Sequence, residues 1–131
     1  MATIRVLLNV VGARVIPITL DEENNPVPDN PPPLLGSSDE IEWSVSTGFC
    51  VSQISFQNVI PFGDGQSPAC LPAFISSGLG GMLSGPPRAS LVPPDRPEVE
   101  FDYDVYVFPE AGFTSGSPAR YGRGRVRIRR R

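Results

Sequence analysis

Proline and glycine limit how this chain can fold more than any other feature of its sequence. The 131 residues include 16 prolines and 13 glycines, spread over most of the length. Proline removes a backbone donor and clashes with the preceding turn of a helix, and glycine weakens a helix through its backbone freedom. The composition therefore argues against an all-α protein and favours short strands joined by turns. Because 40% of the residues are apolar, we expect one buried core and a single domain over residues 1–131.

Alternation of apolar and polar residues predicts the strands. The clearest pattern covers Glu98–Phe108, whose odd positions are mostly apolar and whose first four even positions are acidic. Further strands are predicted at residues 4–11, 14–20, 39–46, 49–57 and 123–129. Pro17 marks the second of these as an edge or bulged strand. We expect an all-β, antiparallel Greek-key β-sandwich of about seven strands. The aromatic residues expected in its core are Trp43, Phe49, Phe56, Phe101 and Tyr103.

Two long loops interrupt the predicted strands. Residues 21–38 are acidic and proline-rich, which is typical of an extended, partly polyproline surface loop that cannot join a sheet. Residues 63–97 are irregular and rich in glycine and proline. Long irregular stretches inside a compact domain are usually functional or mobile, so both loops are candidate contact surfaces.

The charges are unevenly distributed, with the basic residues gathered at the C-terminal end. The formal net charge is −3 and every basic residue is arginine. Seven of the eleven lie in the last predicted strand and tail: Arg120, Arg123, Arg125, Arg127, Arg129, Arg130 and Arg131. The rest of the chain carries four arginines and all fourteen acidic residues. The arginines are either the solvated face of the terminal strand or a contact site for a polyanion such as nucleic acid.

The last two predicted strands are expected to pair as an antiparallel hairpin. The apolar residues have odd numbers in the first strand and even numbers in the second. Residues directly opposite each other share a face, so the residue numbers of two such partners must add up to an odd number. Val105 opposite Val126 is one such pairing, and it sets Asp104 against Arg127. The solvated face of the terminal strand would account for Arg125, Arg127 and Arg129 without any ligand, and it leaves Arg120, Arg123, Arg130 and Arg131 unexplained.

The chain has no histidine and no lysine, which excludes several kinds of catalytic site. Neither a Ser-His-Asp nor a Cys-His arrangement can form, and no lysine is available for a phosphate loop or a Schiff base. The two cysteines supply only half of a four-sulfur zinc site. We therefore predict no catalytic residue, no metal, no cofactor and no small-molecule substrate, and a protein that is not an enzyme.

The cysteines and the absence of long apolar runs bear on the compartment. Nothing in the first thirty residues resembles an export signal, and no run approaches the 18–20 apolar residues of a membrane span. We expect a cytoplasmic protein with reduced thiols. The alternatives are an exported protein with a Cys50–Cys70 disulfide and a component of an assembled particle.

Residues 39–131 resemble the cupredoxin-like β-sandwich of small bacterial proteins. The resemblance lies in the segment Ile41–Ser44, a strand ending near Pro61-Phe62, the alternating strand Phe101–Val107 and a closing strand at Gly124–Ile128. It implies a Greek-key sandwich of the cupredoxin-like or immunoglobulin-like type. Copper-binding members hold the metal with two histidines and a cysteine, so the resemblance implies a copper-free member here.

These features suggest a non-catalytic protein-interaction or assembly module that acts through its loops and its arginine-rich C-terminus. One alternative is a module that binds nucleic acid or another acidic surface through the arginines. Another is a structural subunit of a bacterial or viral particle. The expected partner is thus a protein or a second copy of the chain, with nucleic acid second.

Overall fold

The computed structural model describes residues 3–56, 61–62, 70–71, 75–76, 82–83, 87–88, 91–109 and 119–129, and it confirms the all-β class. The strands are β1 (Thr3–Val11), β2 (Arg14–Leu20), β3 (Leu34–Leu35), β4 (Glu40–Val45), β5 (Phe49–Phe56), β6 (Cys70–Leu71), β7 (Ile75–Ser76), β8 (Met82–Leu83), β9 (Glu98–Pro109) and β10 (Arg120–Arg129). The six longer strands fall where alternation predicts them. Within these residues, no helix is long and apolar enough to cross a membrane.

The strands form one mixed sheet in the order β6-β5-β9-β10-β2-β1-β4-β8, and it curls until it is nearly closed into a cylinder. Strand β4, near one end, contacts β5 and β7 near the other. The expectation of a purely antiparallel sheet is wrong, because β1 pairs in parallel with β4 and β10 pairs in parallel with β2 and β3. The parallel neighbours β1 and β4 need a long connection, and β2 together with residues 21–39 supplies it.

The core is built around an aromatic cluster inside the curled sheet. Trp43 is fully buried, and its indole Nε1 donates a hydrogen bond to the Tyr103 hydroxyl at 3.2 Å. Edge-to-face contacts join the Trp43 ring to Phe62 and Tyr103, with centroids 6.0 and 5.7 Å apart. Burial raises the pKa of Tyr103 to about 12. The predicted core positions are confirmed for Trp43, Tyr103 and Phe56, while Phe49 and Phe101 are partly buried against the cluster.

The hairpin of β9 and β10 is confirmed, but its register differs from the example pairing. Val105 lies opposite Gly122, so the pairing with Val126 is displaced by four residues, while the odd sum of paired numbers holds. Packing explains the register: Tyr103 lies opposite Gly124, where a Cβ would overlap the tyrosine ring. Only a residue without a side chain leaves room for that ring.

The proline-rich segment is more ordered than a surface loop. Leu34 and Leu35 form β3 and pair with β10, so the prediction that residues 21–38 cannot join a sheet is wrong. The run of prolines ends at Pro33, and the two leucines that follow have backbone N–H groups to donate. Left-handed φ values of 64° at Asp29 and 44° at Asn30 turn the chain before the prolines.

Most of the predicted loop 63–97 lies outside the described residues. Its described pieces include β6 and β7, which pair with β5, and β8, which pairs with β4. Val92 is buried. β6, β7 and β8 belong to the sheet, whereas residues 94–97 are exposed.

Candidate functional site

Arginines on the outer face of β10 meet carboxylates on the outer face of β9. The Arg125 Nε lies 2.7 Å from an Asp102 oxygen, and its Nη1 lies 3.3 Å from a Glu100 oxygen. The hydrogen bond to Asp102 and the charges of both carboxylates raise the pKa of Arg125. These groups are about half exposed, so each pair stabilises the fold only modestly.

A similar cluster forms at the next pair of outward-facing residues along the hairpin, Arg123 and Asp104. The Arg123 Nε lies 3.2 Å from Asp104, and the Tyr121 hydroxyl donates a hydrogen bond to the same carboxylate oxygen. The bond to Asp104 raises the pKa of both Tyr121 and Arg123. The Tyr121 ring also packs on Tyr106, with centroids 5.5 Å apart. The outer face of the hairpin is therefore charge-matched over these positions.

Arg127 holds the proline-rich segment against β10. Its Nε and Nη2 donate to the Pro32 carbonyl oxygen at 3.2 and 2.8 Å, and its backbone N–H donates to the Pro33 carbonyl at 2.8 Å. Its Nη1 also lies 3.7 Å from Glu98. With its side chain only 28% exposed, Arg127 is a structural anchor.

The remaining predicted arginines occupy separate places. Arg120 lies with its guanidinium carbon 5.1 Å from the centre of the Phe49 ring, and its Nε donates to the Gly12 carbonyl at 3.1 Å. Arg129 lies opposite Glu98 in the hairpin register. Arg130 and Arg131 lie outside the described residues. The structure thus divides the predicted arginine site into positions with different roles.

Pro17 ends the pairing of β2 with β10. These strands are parallel neighbours at only two pairs, Tyr121 with Arg14 and Gly122 with Val15. Continuing the ladder would require an N–H at position 17 to reach the Arg123 carbonyl, and proline has none. Strand β10 regains a neighbour on this side only at β3. Among the described residues, no strand pairs with residues 123–126 on this side.

The Asn30 side chain closes the edge of β2 that β10 has left. Its Oδ1 accepts the Thr19 backbone N–H at 2.8 Å, and its Nδ2 donates to the Pro17 carbonyl at 2.9 Å. The Thr19 hydroxyl donates to the Pro31 carbonyl at 2.8 Å. The primary amide therefore substitutes for a backbone neighbour and holds residues 30–31 against β2.

An open cleft of about 310 Å³ lies between the separated strands. We call it the β2–β10 cleft. Its floor is formed by Val6, Tyr103 and Gly124, and one wall by Pro17 and residues 30–33. Asp102, Arg123 and Arg125 line the opposite side. The cleft brings together the proline-rich segment and the arginines of β10, which the sequence predicts as two separate contact surfaces.

The cysteines do not form the bridge considered from the sequence. Cys50 is a buried thiol whose Sγ lies 3.6 Å from the Phe108 carbonyl oxygen. Strand pairing puts Cys70 opposite Ser55, about 17 Å along β5 from Cys50, far beyond disulfide reach. A cupredoxin copper site does not fit this chain either, because the thiol is engaged with β9 and the sequence has no histidine.

Comparison with known proteins names no family. No family model matches the chain, and no curated protein shows significant sequence similarity to it. Within the part of the chain that the structure describes, no group of three or more acidic or cysteine side chains could hold a metal ion. The candidate site therefore rests on the geometry of the β2–β10 cleft.

Sequence reasoning missed the two residues that shape this cleft. Pro17 predicts an edge or bulged strand, but β2 lies between β10 and β1 and loses only part of its pairing with β10. Asn30 gave no signal of its own beyond lying in a loop. Its function depends on hydrogen bonds to residues 11 and 13 positions earlier, at Thr19 and Pro17.

Proposed function

We propose that this protein is a non-catalytic β-domain that binds another protein at the β2–β10 cleft. The carrying observation is the meeting of residues 30–33 and the β10 arginines around one open cleft. Recognition sites are often built where loops and strand edges are held by a rigid sheet. Asn30 accepts from the Thr19 N–H and donates to Pro17, and Arg127 donates to Pro32, so the proline wall is fixed and little entropy would be lost there on binding.

The arrangement of the arginines favours a protein partner over a polyanion. Arg123 and Arg125 lie beside carboxylates of β9, and Arg127 donates to backbone carbonyls. A phosphate backbone approaching this face would meet Asp102 and Asp104 together with the arginines. Affinity for nucleic acid depends on unopposed cationic charge, so nucleic-acid binding is the weaker hypothesis.

Self-assembly belongs to the same proposal. In a larger particle, a segment of one subunit would lie in the cleft of its neighbour and use the same contacts as any other protein partner.

The absence of histidine and lysine, together with carboxylates that are matched by arginines, supports a binding role rather than a catalytic one.

We also propose that the curled sheet is a variant of the Greek-key sandwich, related to copper-free cupredoxin-like or immunoglobulin-like domains. The all-β strand content and the core around Trp43 support this relation. The strand order also supports it, because β9 and β10 lie between strands from the first half of the chain.

Selection from a displayed library of random twelve-residue peptides tests the proposed function. Peptides enriched on the wild-type protein should bind at least tenfold more weakly to the double variant Arg123→Ala/Arg125→Ala. The matched control is Arg5→Ala, which removes an ion-paired arginine whose side chain is 46% exposed, compared with 49% for Arg125. Arg5 does not line the cleft. Failure to enrich any peptide, or equal binding to wild type and the double variant, would contradict the proposal.

A further inference from the structure

Strand β10 presents backbone hydrogen-bonding groups to the β2–β10 cleft. The Arg127 N–H donates to Pro33, so it points away from β9. Backbone groups of successive strand residues alternate in direction, and the register of β10 with β9 is regular from Arg120 to Arg129. The N–H and C=O of Arg125 therefore point the same way as those of Arg127, into the cleft.

The opposite wall does not compete for these groups. Pro17 has no N–H, and its carbonyl accepts from Asn30. The Thr19 N–H also donates to Asn30. The edge of β2 is thus satisfied by an amide side chain, whereas on the cleft side residues 123–126 of β10 have no partner strand among the described residues.

The charge and shape of the cleft indicate what could fill it. The Arg123 and Arg125 side chains are 56% and 49% exposed, and each guanidinium has five N–H donors, more than its carboxylate contacts use. Together with Asp102 on the same side, they give the lining of the cleft a formal net charge of +1. The floor is apolar and includes Gly124, which has no side chain to obstruct a neighbouring backbone.

We infer that the β2–β10 cleft binds an extended segment of a partner polypeptide as an added strand on residues 123–126 of β10. Main-chain bonds to Arg125 hold the segment, and an acidic side chain on its outer face meets Arg123 and Arg125. The unpaired stretch is about 13 Å long, which accommodates about four residues of an added strand. This inference rests on the proposed function and specifies how the partner binds.

An N-methyl scan tests strand addition with a peptide from the library selection as the probe. Methylating one backbone nitrogen at a time removes one N–H, and in a strand only alternate N–H groups face β10. Affinity should fall at least tenfold at alternate central positions and less than threefold between them. Replacing the acidic residue of the peptide by its amide should also weaken binding to the wild type and have little effect on Arg125→Ala.

A pair of variants isolates the backbone donor of the protein. Arg125→Ala removes only the side chain, whereas Arg125→Pro also removes the N–H that faces the cleft. The proline variant should bind the probe at least tenfold more weakly than the alanine variant. Amide exchange of the wild type provides a measurement that needs no variant: the Arg125 amide should exchange at least tenfold faster than that of Val126, and the probe should slow it.

The outcomes separate this inference from the proposed function. If a peptide requires Arg123 and Arg125 but tolerates N-methylation at every position, strand addition is wrong and protein binding at the cleft stands. Slow exchange of the Arg125 amide in the free protein would also overturn strand addition. If no peptide depends on the cleft, both proposals fail.

Discussion

Along its β9 edge, β10 pairs at every residue from Arg120 to Arg129, whereas along its other edge the described strands pair with it only at 121–122 and 127–128. The closed edge has complementary partners throughout, with carboxylates opposite arginines and Gly124 opposite the Tyr103 ring. The open edge faces Pro17, which cannot donate a hydrogen bond. The contrast teaches that one proline in a neighbouring strand can expose part of a strand that is otherwise inside a sheet.

Replacing Trp43 with alanine should have the largest effect, because it removes the support of the closed edge. The substitution leaves a cavity in the aromatic cluster and leaves the Tyr103 hydroxyl without its donor. We expect a loss of about 3–5 kcal/mol in the free energy of unfolding, measured by urea denaturation. Tyr121→Ala, at an exposed aromatic residue, is the control. A cost below about 1 kcal/mol for Trp43→Ala would contradict the position of Trp43 in the core.

Alkaline pH should lower the free energy of unfolding because Tyr103, which packs at the closed edge, ionises. Its pKa is raised from 10.0 to about 12, so the unfolded chain loses this proton at lower pH than the folded protein does. The stabilisation is complete below pH 10 and is lost as the pH rises through about 12, a change of about 2–3 kcal/mol. Urea denaturation between pH 9 and 11.5 should show a shallower decline for Tyr103→Phe than for wild type. Equal slopes would mean that Tyr103 ionises normally.

Comparing the stability of Arg127→Ala and Arg125→Ala tests whether Arg127, at the end of the open edge, matters more for the fold than Arg125, in its middle. Arg127→Ala removes two hydrogen bonds to Pro32 and should cost about 1–2 kcal/mol. Arg125→Ala removes exposed ion pairs and should cost less than about 1 kcal/mol. Denaturation of the two variants side by side gives both values, and similar costs would remove the distinction between an anchor and a cleft residue.

Pro17→Val should change stability least while altering the open edge most directly. Valine adds an N–H on the β10 side of β2, which can bond the Arg123 carbonyl once the two strands close on each other, and the net change in stability should stay within about 1 kcal/mol. Amide exchange by NMR should show protection of the new residue 17 amide, and peptide affinity should fall. Rapid exchange at residue 17 would show that something other than the missing donor separates the strands.

The strands could be predicted from the sequence because their signal is local. A run rich in Val, Ile and Leu predicts β2 over its observed bounds, and the alternation of β9, whose alternate residues face the core, predicts that strand to within one residue. The hairpin register could not be chosen from charge, because the predicted and the observed registers both set carboxylates against arginines. The packing of the Tyr103 ring over Gly124 favours the observed register. This packing depends on the sizes of two particular side chains, which alternation does not report.

The cleft could be predicted only in part. Pro17 signalled an edge, but a sequence does not reveal which strand loses its neighbour there. The parallel pairings of β1 with β4 and of β10 with β2 join segments that are distant in the chain. Asn30 acts through a turn with left-handed φ that brings its amide back to β2, a geometry that residue type alone does not specify.

The place of β10 in the sheet has a consequence for the order in which the protein can be completed. In the hydrogen-bonded order of the strands, β10 stands between β9 and β2 and joins the two halves of the sheet. A ribosome makes β10 after the other nine strands that the structure describes, so the facing edges of β2 and β9 emerge without their neighbour. Proteins dominated by such distant pairings fold slowly, in milliseconds to seconds. During synthesis, the proline in β2 and the acidic residues of β9 would reduce the risk that these edges pair with another chain.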